Sequence, residues 1–438
     1  MNFVNGKSVS EKECGYILEH IDGMIMQTLQ KPPLDVNLVI NACDTLVKNI
    51  GSSPLMKRLP ELGVNPVLAG MYLEQLAQTL GAEAIRERMK IELGEGYDKQ
   101  RALKYSHSGA EAVQTVAPLG VLFHITAGNA DGLPFISLLD GLLTGNINIV
   151  KLPKEEGGIT VSLLEELFAV EPSLREYVYV FDYSSKDVHA MKKLADAANA
   201  VVVWGGDEAV SAVRKLAAPN TKIIEWGHKI SFAYVTKAGA VRAALEKLAL
   251  HIALTDQLFC SSCQGVFLDT GDMEDVNKFC EDFLPVFDGV CRDNPTAAGD
   301  AAAELFVQAE ITLEDYRRQI ENDSHGVRLF RGQNCSITAR PDSKLEPSAQ
   351  YRNIWAKPLK REDIIRLRSY KGYLQTAALI CAEHEHSGLS RSLLQTGIVK
   401  ISDGFEMSSY AFGEAHDGIF PLKCYTRTVS VQVCPADK

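Results

Sequence analysis

Two cysteines, Cys260 and Cys263, stand three residues apart, just before the apolar, strand-like run 266–268. This spacing is compatible with three kinds of chemistry. A zinc site needs a second pair of ligands, and none stands at a suitable spacing. A thioredoxin-like redox pair usually opens a helix, whereas this pair leads into a strand. The third interpretation is a single activated thiolate on a loop, which would act as a nucleophile. Inert thiols are the alternative to all three.

A carboxylate and an imidazole, Glu225 and His228, stand three residues apart in a predicted connecting loop. Either group could accept a proton and return it during a reaction. Histidine suits this role because its unperturbed pKa, near 6.5, lies close to a working pH. A surface glutamate and an exposed loop histidine are the alternative.

Two polar residues each follow a predicted buried strand. Asn129 comes after the strand 121–126, where its side-chain amide could donate a hydrogen bond to a developing oxyanion. Lys151 comes directly after the strand 147–150, where its ammonium could reach the ribose or phosphate of a nucleotide. Taken alone, a plain turn asparagine and a solvated surface lysine would also explain these residues.

Two glycines, Gly205 and Gly206, follow the predicted strand 201–203. Glycine lets the backbone approach a pyrophosphate closely at the start of a helix. A tight turn between a strand and a helix needs glycine as well, so the pair alone does not decide between a phosphate site and a turn.

The elements that must position these residues alternate between strands and helices from residue 121 to residue 216. This rhythm predicts a parallel sheet with helices on both faces. Ligands of such sheets lie beyond the carboxyl ends of the strands. A second α/β block is predicted from 230 to 403. The predicted helices are 133–143, 159–167, 188–197, 208–216 and 241–254.

The two ends of the chain carry the remaining regular patterns. Residues 1–96 are predicted to be mainly helical, with periodic apolar runs at 11–30 and 67–93. Two segments, 112–116 and 425–433, alternate at period two. They are predicted to be strands that pair with each other or with another subunit.

The length of 438 residues suggests two or three domains. The apolar content of 46% and charged content of 23% are those of an ordinary globular protein. A net charge of −11 disfavours a nucleic-acid binder and a protein held on an anionic membrane. We see neither a signal peptide nor an apolar stretch long enough to span a membrane. With 10 cysteines spread along the chain, the expected location is a reducing cytoplasm.

The candidate residues occur in the order of the landmarks of the aldehyde dehydrogenase superfamily, and the chain resembles that superfamily. There, a proline-glycine-strand-asparagine segment precedes a glycine-asparagine pair and a strand-end lysine. A glycine turn, a Glu-x-Gly-x-Lys segment and the nucleophilic cysteine follow. The matching residues are Pro118-Leu119-Gly120, Asn129, Gly145-Asn146, Lys151, Gly205, Glu225-Trp226-Gly227-His228-Lys229 and Cys260.

Within the superfamily the chain most resembles the acyl-CoA reductase family, typified by the fatty-acid reductase subunit of bacterial bioluminescence. The resemblance runs from about residue 110 to the C-terminus and is thin between residues 269 and 397. The residues that carry it are Asp256-Gln257, Cys260-Ser261-Ser262, Gln264, Gly227-His228-Lys229 and His416-Asp417-Gly418.

This resemblance implies an aldehyde dehydrogenase-like α/β fold. Its parts are a Rossmann-type cofactor domain, an α/β catalytic domain and a small oligomerisation hairpin. The predicted boundaries are 1–96 for the helical N-terminal part of the cofactor domain, 97–117 for an oligomerisation strand segment, 118–229 for the NAD(P)-binding domain, 230–410 for the catalytic domain, and 411–438 for a C-terminal return and oligomerisation strand.

The implied activity is NADPH-dependent reduction of a long-chain fatty acyl thioester to the aldehyde. Cys260 would attack the thioester carbonyl and form an acyl-enzyme. The Asn129 amide, with the Cys260 backbone N–H, would hold the oxyanion. Glu225 or His228 would accept the thiol proton; the superfamily pattern points to Glu225, whereas the reductive direction, which activates no water, leaves room for His228.

The implied cofactor is NADPH, with NADH possible. Lys151 would contact the adenosine ribose, and Lys154 would meet a 2′-phosphate, although Glu155 beside it opposes that assignment. The residues implied to contact the cofactor are Thr126, Lys151, Lys154, Gly205 and Gly206.

Two other functions fit the same residues. One is a CoA-acylating aldehyde dehydrogenase that uses NAD, and the other is a catalytically silent protein that docks an acyl carrier. The implied substrates are acyl-CoA or an acyl-protein, and the implied partners are an acyl-activating synthetase or acyl carrier and further copies of the chain.

The sequence departs from the family pattern at three points. His228 stands where the superfamily has the second glycine of Glu-x-Gly-Gly-Lys, which leaves the identity of the general base open. Cys263 stands where the reductase family has proline. No segment matches the late Glu-x-x-Phe-Gly motif that contacts the nicotinamide ribose, so those contacts have no assigned residues.

Overall fold

The computed structural model describes residues 2–53, 70, 74, 76–98, 101–104, 111–126, 132–154, 158–296, 301–321, 326–409 and 413–432. Within this part, the chain divides into two compact units. The first unit contains the described residues up to Gly227 and those from Gly413 onward. The second contains those from His228 to Ser409.

The strands and helices are numbered here in chain order. The strands are β1 (Asn2–Val4), β2 (Lys7–Val9), β3 (Arg101–Lys104), β4 (Glu111–Pro118), β5 (Val121–Ile125), β6 (Ile147–Lys151), β7 (Val178–Phe181), β8 (Ala200–Trp204), β9 (Lys222–Trp226), β10 (Ile230–Val235), β11 (Cys263–Leu268), β12 (Arg328–Arg331), β13 (Ser336–Ala339), β14 (Asn353–Pro358), β15 (Leu374–Ile380), β16 (Lys400–Ser402) and β17 (Thr426–Gln432). The α-helices are α1 (Glu11–Leu29), α2 (Val36–Asn49), α3 (Ala82–Leu93), α4 (Leu133–Leu143), α5 (Ile159–Val170), α6 (Val188–Asp196), α7 (Asp207–Leu216), α8 (Arg242–Thr255), α9 (Met273–Asp293), α10 (Ala301–Glu321), α11 (Glu383–Leu394) and α12 (Pro421–Cys424). Short 3-10 helices lie at Ile50–Ser52, Pro172–Tyr177, Arg361–Tyr370 and Glu406–Ser408. None of these described helices is both long and apolar enough to cross a membrane.

The first unit is built on a sheet with the strand order β2-β1-β7-β6-β5-β8-β9. Strands β5 to β9 all run parallel to one another, and β1 is antiparallel to β7. Successive strands are added outward from β5 first on one side, through β6 and β7, and then on the other, through β8 and β9. The order therefore reverses between β5 and β8, and the crevice beyond the carboxyl ends of these two strands is the expected ligand site of such a sheet.

Helices cover both faces of this sheet, which explains why its central strands β5 and β6 are buried along their whole length and mainly apolar. On one face, α1 and α6 pack side chains such as Leu18 and Leu194 against Phe123 of β5. On the other face, α2, α4 and α5 pack around Val150 of β6. The predicted helix 133–143 coincides with α4. Residues 1–96, predicted to be mainly helical, also contain β1 and β2, which extend the sheet at its edge.

The second unit is built on a sheet with the order β12-β13-β14-β11-β10-β15-β16. All neighbours are parallel except β12, which is antiparallel to β13. Helices α8 and α9 cover one face, where Leu248 and Phe283 are buried. The 3-10 helix Arg361–Tyr370 and α11 cover the other face. The predicted strand 266–268 is longer in the structure, because β11 already begins at Cys263.

A small antiparallel sheet, β17-β4-β3, belongs to the first unit. Strands β4 and β17 pair along their length, with Val116 opposite Thr428 and Val113 opposite Val431. The two segments predicted to be strands therefore pair with each other within the chain. The outer strands β3 and β17 each present one side on which no other described strand is paired.

Candidate active site

The two candidate nucleophiles differ in exposure. Cys260 lies in a turn before β11 and is partly exposed, whereas Cys263 is fully buried, and neither forms a disulfide. Burial raises the pKa of the Cys263 thiol to about 12, and its Sγ donates a hydrogen bond to the carbonyl of Gly265 at 3.3 Å. A thiol with such a pKa forms almost no thiolate at neutral pH. Of the two cysteines, Cys260 is therefore the one suited to nucleophilic attack.

The neighbouring strand fixes the backbone at Cys260. The Ser231 hydroxyl on β10 donates a hydrogen bond to the Cys260 carbonyl at 2.7 Å and accepts one from the Thr376 N–H at 3.1 Å. Because β10 and β11 are parallel, both begin at the same edge of the sheet. His228, an exposed residue, stands two positions before β10. The loop of His228 and the loop of Cys260 therefore lie at the same edge.

Asp256 and Gln257 shape the turn that leads from α8 into the cysteine loop. Both adopt left-handed backbone conformations, with φ of 44° and 62°. Non-glycine residues seldom do so, because the conformation costs about 1–2 kcal/mol for each residue. The Asp256 carbonyl accepts a hydrogen bond from the Tyr351 N–H at 2.9 Å, which holds this turn against a second segment. Strained backbone of this kind is concentrated at functional sites.

A buried ion pair anchors the same turn. Arg352 is 2% exposed, and its Nε lies 2.8 Å from Oδ1 of Asp256. Its other nitrogens donate to the carbonyls of Ala253 at 3.1 Å and Cys291 at 3.3 Å. Burial raises the pKa of the Asp256 carboxyl, while Arg352 and the Thr296 hydroxyl act in the opposite direction. The guanidinium and the carboxylate therefore compensate each other's charge.

Three side chains form a ring of hydrogen bonds at the base of the loop. Gln257 Nε2 donates to Ser348 Oγ at 2.7 Å, and Ser348 Oγ donates to Gln264 Oε1 at 2.9 Å. Gln264 Nε2 closes the ring on the Gln257 carbonyl at 3.2 Å and also contacts the Ser262 carbonyl at 3.3 Å. Both glutamines are buried. Gln257 and Gln264, which belong to the residues that carry the family resemblance, are thus hydrogen-bonded to each other and to Ser348.

A buried histidine supports the start of β11. His251, 3% exposed, accepts a hydrogen bond at Nε2 from the backbone N–H of Cys263, at 3.3 Å. Burial lowers the pKa of His251 to about 4. The imidazole is therefore neutral at neutral pH, with Nε2 unprotonated as this contact requires.

The second acid–base candidate, Glu225, lies on β9 of the first unit. Its carboxylate receives two hydrogen bonds from Arg214 of α7, from Nε at 2.6 Å and from Nη2 at 2.8 Å. The Arg214 guanidinium thus occupies both carboxylate oxygens of Glu225 in a bidentate ion pair. Glu225 would have to exchange this partner to act as a base.

Lys151 and Thr126 lie at the carboxyl ends of β6 and β5, next to the strand reversal. Lys151 is 9% exposed, and burial lowers the pKa of its ammonium, with Asp182 acting in the opposite direction. None of the described residues forms a hydrogen bond or ion pair with this ammonium. The Thr126 hydroxyl donates to the Lys151 carbonyl at 3.1 Å. Lys154 follows three residues later and is exposed. A buried cation without a described partner fits a ligand that carries hydroxyls or phosphate.

Gly205 and Gly206 connect β8 to α7, with Gly206 as the helix N-cap. A Cβ at Gly205 would approach the Cβ of Ala209 to 3.1 Å, so the turn itself is tight at this point. The first turn of α7 carries Asp207 and Glu208. These carboxylates already interact favourably with the positive end of the helix and would repel a phosphate there. This charge opposes the pyrophosphate contact predicted at the two glycines.

Asn129 lies outside the described residues, as do its neighbours from 127 to 131. The other asparagine of the family pattern, Asn146, is buried and has a structural role. It accepts a hydrogen bond from the Gly120 N–H at 2.8 Å and donates to the Tyr425 carbonyl at 3.0 Å. Asn146 thus ties β6 to the turn before β5 and to the C-terminal segment.

The structure brings together residues that the sequence did not single out. Ser231, Ser348, Arg352 and His251 all contact the cysteine loop or its flanks. Their residue types are common in turns and cores, and Arg352 lies 96 positions from its partner. No local spacing in the sequence marks these contacts.

Comparison with protein families gives one match over most of the chain. The family described as acyl-CoA reductase (LuxC) matches residues 33–428. A long-chain acyl-protein thioester reductase 2 of Photobacterium leiognathi is 25% identical over 326 residues, covering 72% of this chain and 64% of the relative. A long-chain acyl-protein thioester reductase of Vibrio harveyi is 21% identical over 412 residues, covering 91% of this chain and 83% of the relative. The chain thus spans less than two thirds of the first relative.

Solved structures show the same fold at low sequence identity. A putative aldehyde dehydrogenase PutA from Anabaena variabilis superposes with a TM-score of 0.69 at 15% identity, covering 98% of this chain and 94% of that one. An NADP-dependent glyceraldehyde-3-phosphate dehydrogenase from Bacillus halodurans, complexed with NADP, gives a TM-score of 0.68 at 14% identity, covering 99% and 96%. The fold is therefore that of the aldehyde dehydrogenases, with Rossmann-type parallel sheets.

Proposed function

The chain belongs to the acyl-CoA reductase (LuxC) family, and from this premise we propose that it reduces a long-chain fatty acyl thioester to the aldehyde. The observation that carries the proposal is the state of the two thiols: Cys260 is partly exposed on a braced loop, whereas Cys263 is buried with a pKa near 12. The names of the bacterial relatives support an acyl-protein as donor. Acyl-CoA is the second donor to test.

The chemistry begins at the Cys260 sulfur. Its thiolate attacks the carbonyl carbon, and collapse of the tetrahedral adduct breaks the bond to the donor sulfur, which leaves an acyl-enzyme and a free donor thiol. When bound, a reduced nicotinamide supplies the hydride that takes the acyl carbon to the aldehyde level. Cleavage of the Cys260–carbon bond then releases aldehyde and restores the thiol. In balance, thioester, reduced nicotinamide and one proton give aldehyde, donor thiol and oxidised nicotinamide.

Three proton transfers accompany these steps: one from the Cys260 thiol, one to the departing donor thiolate, and one to the Cys260 thiolate as the aldehyde leaves. His228 is our proposed proton carrier, because its loop lies at the same sheet edge as Cys260, beside Ser231. Glu225 is the alternative, and the Arg214 guanidinium occupies both of its carboxylate oxygens. The oxyanion would be held by the predicted donor Asn129.

The cofactor we propose is NADPH. Lys151 would hold the adenosine ribose, since it is a buried cation at the carboxyl end of β6 with no described partner. Lys154, exposed in the loop that follows, would meet the 2′-phosphate. We limit the role of Gly205 and Gly206 to a tight turn, because Asp207 and Glu208 repel phosphate there.

The proposed partners are an acyl-activating synthetase or acyl carrier that delivers the acyl group, and further copies of the chain. The exposed sides of β3 and β17 in the small sheet would support such an oligomer, because an edge strand can pair with a strand of another subunit. We also propose a cytoplasmic location, where the thiols stay reduced.

The test is an assay of the purified protein with acyl-CoAs of different chain lengths and with an acylated carrier protein, each with NADPH and with NADH. We expect aldehyde formation with long chains and NADPH, and an acyl adduct on Cys260 in intact-mass spectra when no cofactor is added. Oxidation of aldehyde to acyl-CoA with NAD, in preference to reduction, would instead indicate a CoA-acylating dehydrogenase. Absence of both adduct and turnover with every donor would contradict the proposal.

A further inference from the structure

The hydrogen-bonded ring of Gln257, Ser348 and Gln264 has a consistent donor order. The Gln257 amide donates to the Ser348 hydroxyl, which donates to the Gln264 carbonyl oxygen. The Gln264 amide then donates to the backbone carbonyl of Gln257. Each hydrogen bond of the ring runs from a donor to an acceptor, while the Gln257 side-chain oxygen is buried without a partner among the described residues. A hydroxyl at position 348 is essential to this order, because it donates and accepts at the same time.

The ring clamps both ends of the five-residue loop 258–262. One end is Gln257, whose side-chain amide also donates to the Cys263 carbonyl at 3.2 Å. The other end is Ser262 to Gln264, where the Gln264 amide contacts the Ser262 carbonyl. Inside the loop, the Ser262 hydroxyl accepts a hydrogen bond from the Phe259 N–H at 3.1 Å. Cys260 is therefore carried by a short loop whose two ends are closed on each other.

Ser348 joins this loop to a distant part of the chain. It lies in an irregular segment before β14, and its backbone N–H donates a second hydrogen bond to Gln264 Oε1 at 3.0 Å. Both glutamines are buried, 1% exposed for Gln257 and 8% for Gln264, so these bonds are shielded from competing water. Loss of the hydroxyl would remove one acceptor from the Gln257 amide and one donor from the Gln264 carbonyl oxygen, both in a buried environment.

We propose that Gln257, Ser348 and Gln264 are positioning residues, which hold the Cys260 thiol in the orientation needed to attack the acyl carbon. The inference rests on the proposed function for the attack on an acyl carbon. The hydrogen-bonded ring is a feature of the structure and does not depend on that function. The described hydrogen bonds of the three side chains join them to one another and to backbone groups that include those of Ser262 and Cys263, so they act through the loop. Nucleophilic attack depends on geometry so strongly that a displacement of about 1 Å can cost roughly a hundredfold in rate.

Ser348→Ala is the main test, because it removes one hydroxyl from a partly exposed residue and leaves both glutamines in place. Ser348→Thr keeps a hydroxyl and should restore the ring. Ser343→Ala is the matched control: it removes a serine hydroxyl in the same irregular segment, one that donates to the Pro358 carbonyl at 2.7 Å and does not belong to the ring.

Three quantities are measured on the full-length protein. They are amide hydrogen exchange of the peptide 256–264, the rate of Cys260 alkylation by iodoacetamide, and the single-turnover rate of Cys260 acylation by a long-chain acyl-CoA. In Ser348→Ala we expect faster exchange, alkylation that is several-fold faster because the loop opens, and acylation slower by about tenfold or more. Ser348→Thr should behave like the wild type, and so should Ser343→Ala.

Opposite changes in alkylation and acylation, with faster exchange confined to the peptide 256–264, are the signature of lost positioning, since a protein that is destabilised as a whole would exchange faster throughout. Unchanged exchange and alkylation in Ser348→Ala would overturn the proposal, and so would faster exchange with an unchanged acylation rate. If the wild type accepts no acyl group, the proposed function fails. The exchange and alkylation measurements then still decide whether the ring holds the thiol.

Discussion

The backbone N–H of Cys263 donates a hydrogen bond to Nε2 of His251, a buried imidazole that is neutral at neutral pH. This bond holds the first residue of β11, three positions after Cys260. Protonation of Nε2 would place two N–H groups against each other at this point. The charge state of His251 is therefore coupled to the strand that carries the cysteine loop.

The folding stability should fall as the pH is lowered from about 6.5 towards 4. In the unfolded chain His251 takes up its proton near its ordinary pKa of about 6.5, whereas in the folded protein its pKa is about 4. The unfolded state thus binds more protons in this window. The neutral, buried His251 thus contributes roughly 3 kcal/mol to the free energy of unfolding above pH 6.5, and this contribution is lost as the pH falls through 4.

Urea unfolding at pH 7 and pH 5 measures this effect. His251→Gln should reduce the difference between the two pH values by about 2 kcal/mol relative to the wild type. The control is His384→Gln, which replaces an exposed histidine and should leave the difference unchanged. If the free energy of unfolding depends equally on pH in the wild type and in His251→Gln, burial of this imidazole does not set the acid sensitivity of the fold.

The identity of the nucleophile can be tested by exchanging each cysteine. Cys260→Ala should abolish both the acyl adduct and aldehyde formation, because burial raises the pKa of the neighbouring Cys263 thiol to about 12. Cys263→Ala should keep at least part of the activity and still show the adduct on Cys260. Peptide mapping of the acylated wild type locates the label, and an acyl group on Cys263 would contradict the assignment.

Breaking the ion pair between Arg352 and Asp256 should strongly lower the free energy of unfolding. Arg352→Met leaves a buried carboxylate without its partner, and the free energy of unfolding should fall by about 3–5 kcal/mol. Adding Asp256→Asn to that variant should recover part of the loss, because it removes the uncompensated charge.

Chemical denaturation of Arg352→Met, with and without Asp256→Asn, measures the two free energies of unfolding. The control is Arg242→Met, which removes an arginine paired with Glu246 on the surface of α8, where a change of only about 0.5 kcal/mol is expected. A loss of similar size in Arg352→Met and Arg242→Met would mean that the buried pair does not brace the turn.

The cofactor preference can be tested at Lys154. If its ammonium meets the 2′-phosphate, Lys154→Ala should weaken NADPH binding about tenfold and leave NADH binding unchanged. Lys186→Ala, at another exposed lysine of the first unit, serves as the control. Equal effects on the two cofactors, measured by fluorescence titration, would remove Lys154 from the phosphate site.

Sequence patterns predicted the parts of this protein that depend on local order. The helix 133–143 followed from its apolar run. The role of Cys260 was implied by the family resemblance and stays a prediction. The contacts of Ser231, Ser348 and Arg352 with the cysteine loop could not be predicted in this way, because they join segments 29, 84 and 96 residues apart. Such contacts arise from the strand order of the sheet, which the alternation of elements does not specify.

The same reason explains why the sequence left the proton carrier open. Glu225 and His228 are three residues apart in the chain, yet Glu225 ends up paired with Arg214 on a helix, whereas His228 opens the segment that leads to Ser231 and the Cys260 carbonyl. Distance along the chain could not separate these two environments. The structure does so because the boundary between the compact units falls between the two residues.

The last prediction therefore concerns single-turnover acylation of Cys260 across a range of pH. If His228 accepts the thiol proton, the wild-type rate should increase as the pH is raised, because only the neutral imidazole can accept that proton. That rise should disappear in His228→Gln, with a rate lower by about a hundredfold, a usual loss for one general base. Glu225→Gln should then retain most of the rate. The reverse pattern would assign the role to Glu225, in which case Arg214→Met should change the acylation rate, because it frees both carboxylate oxygens of Glu225. Normal kinetics in both variants would exclude both residues, since each proposed role requires a proton that the variant cannot accept.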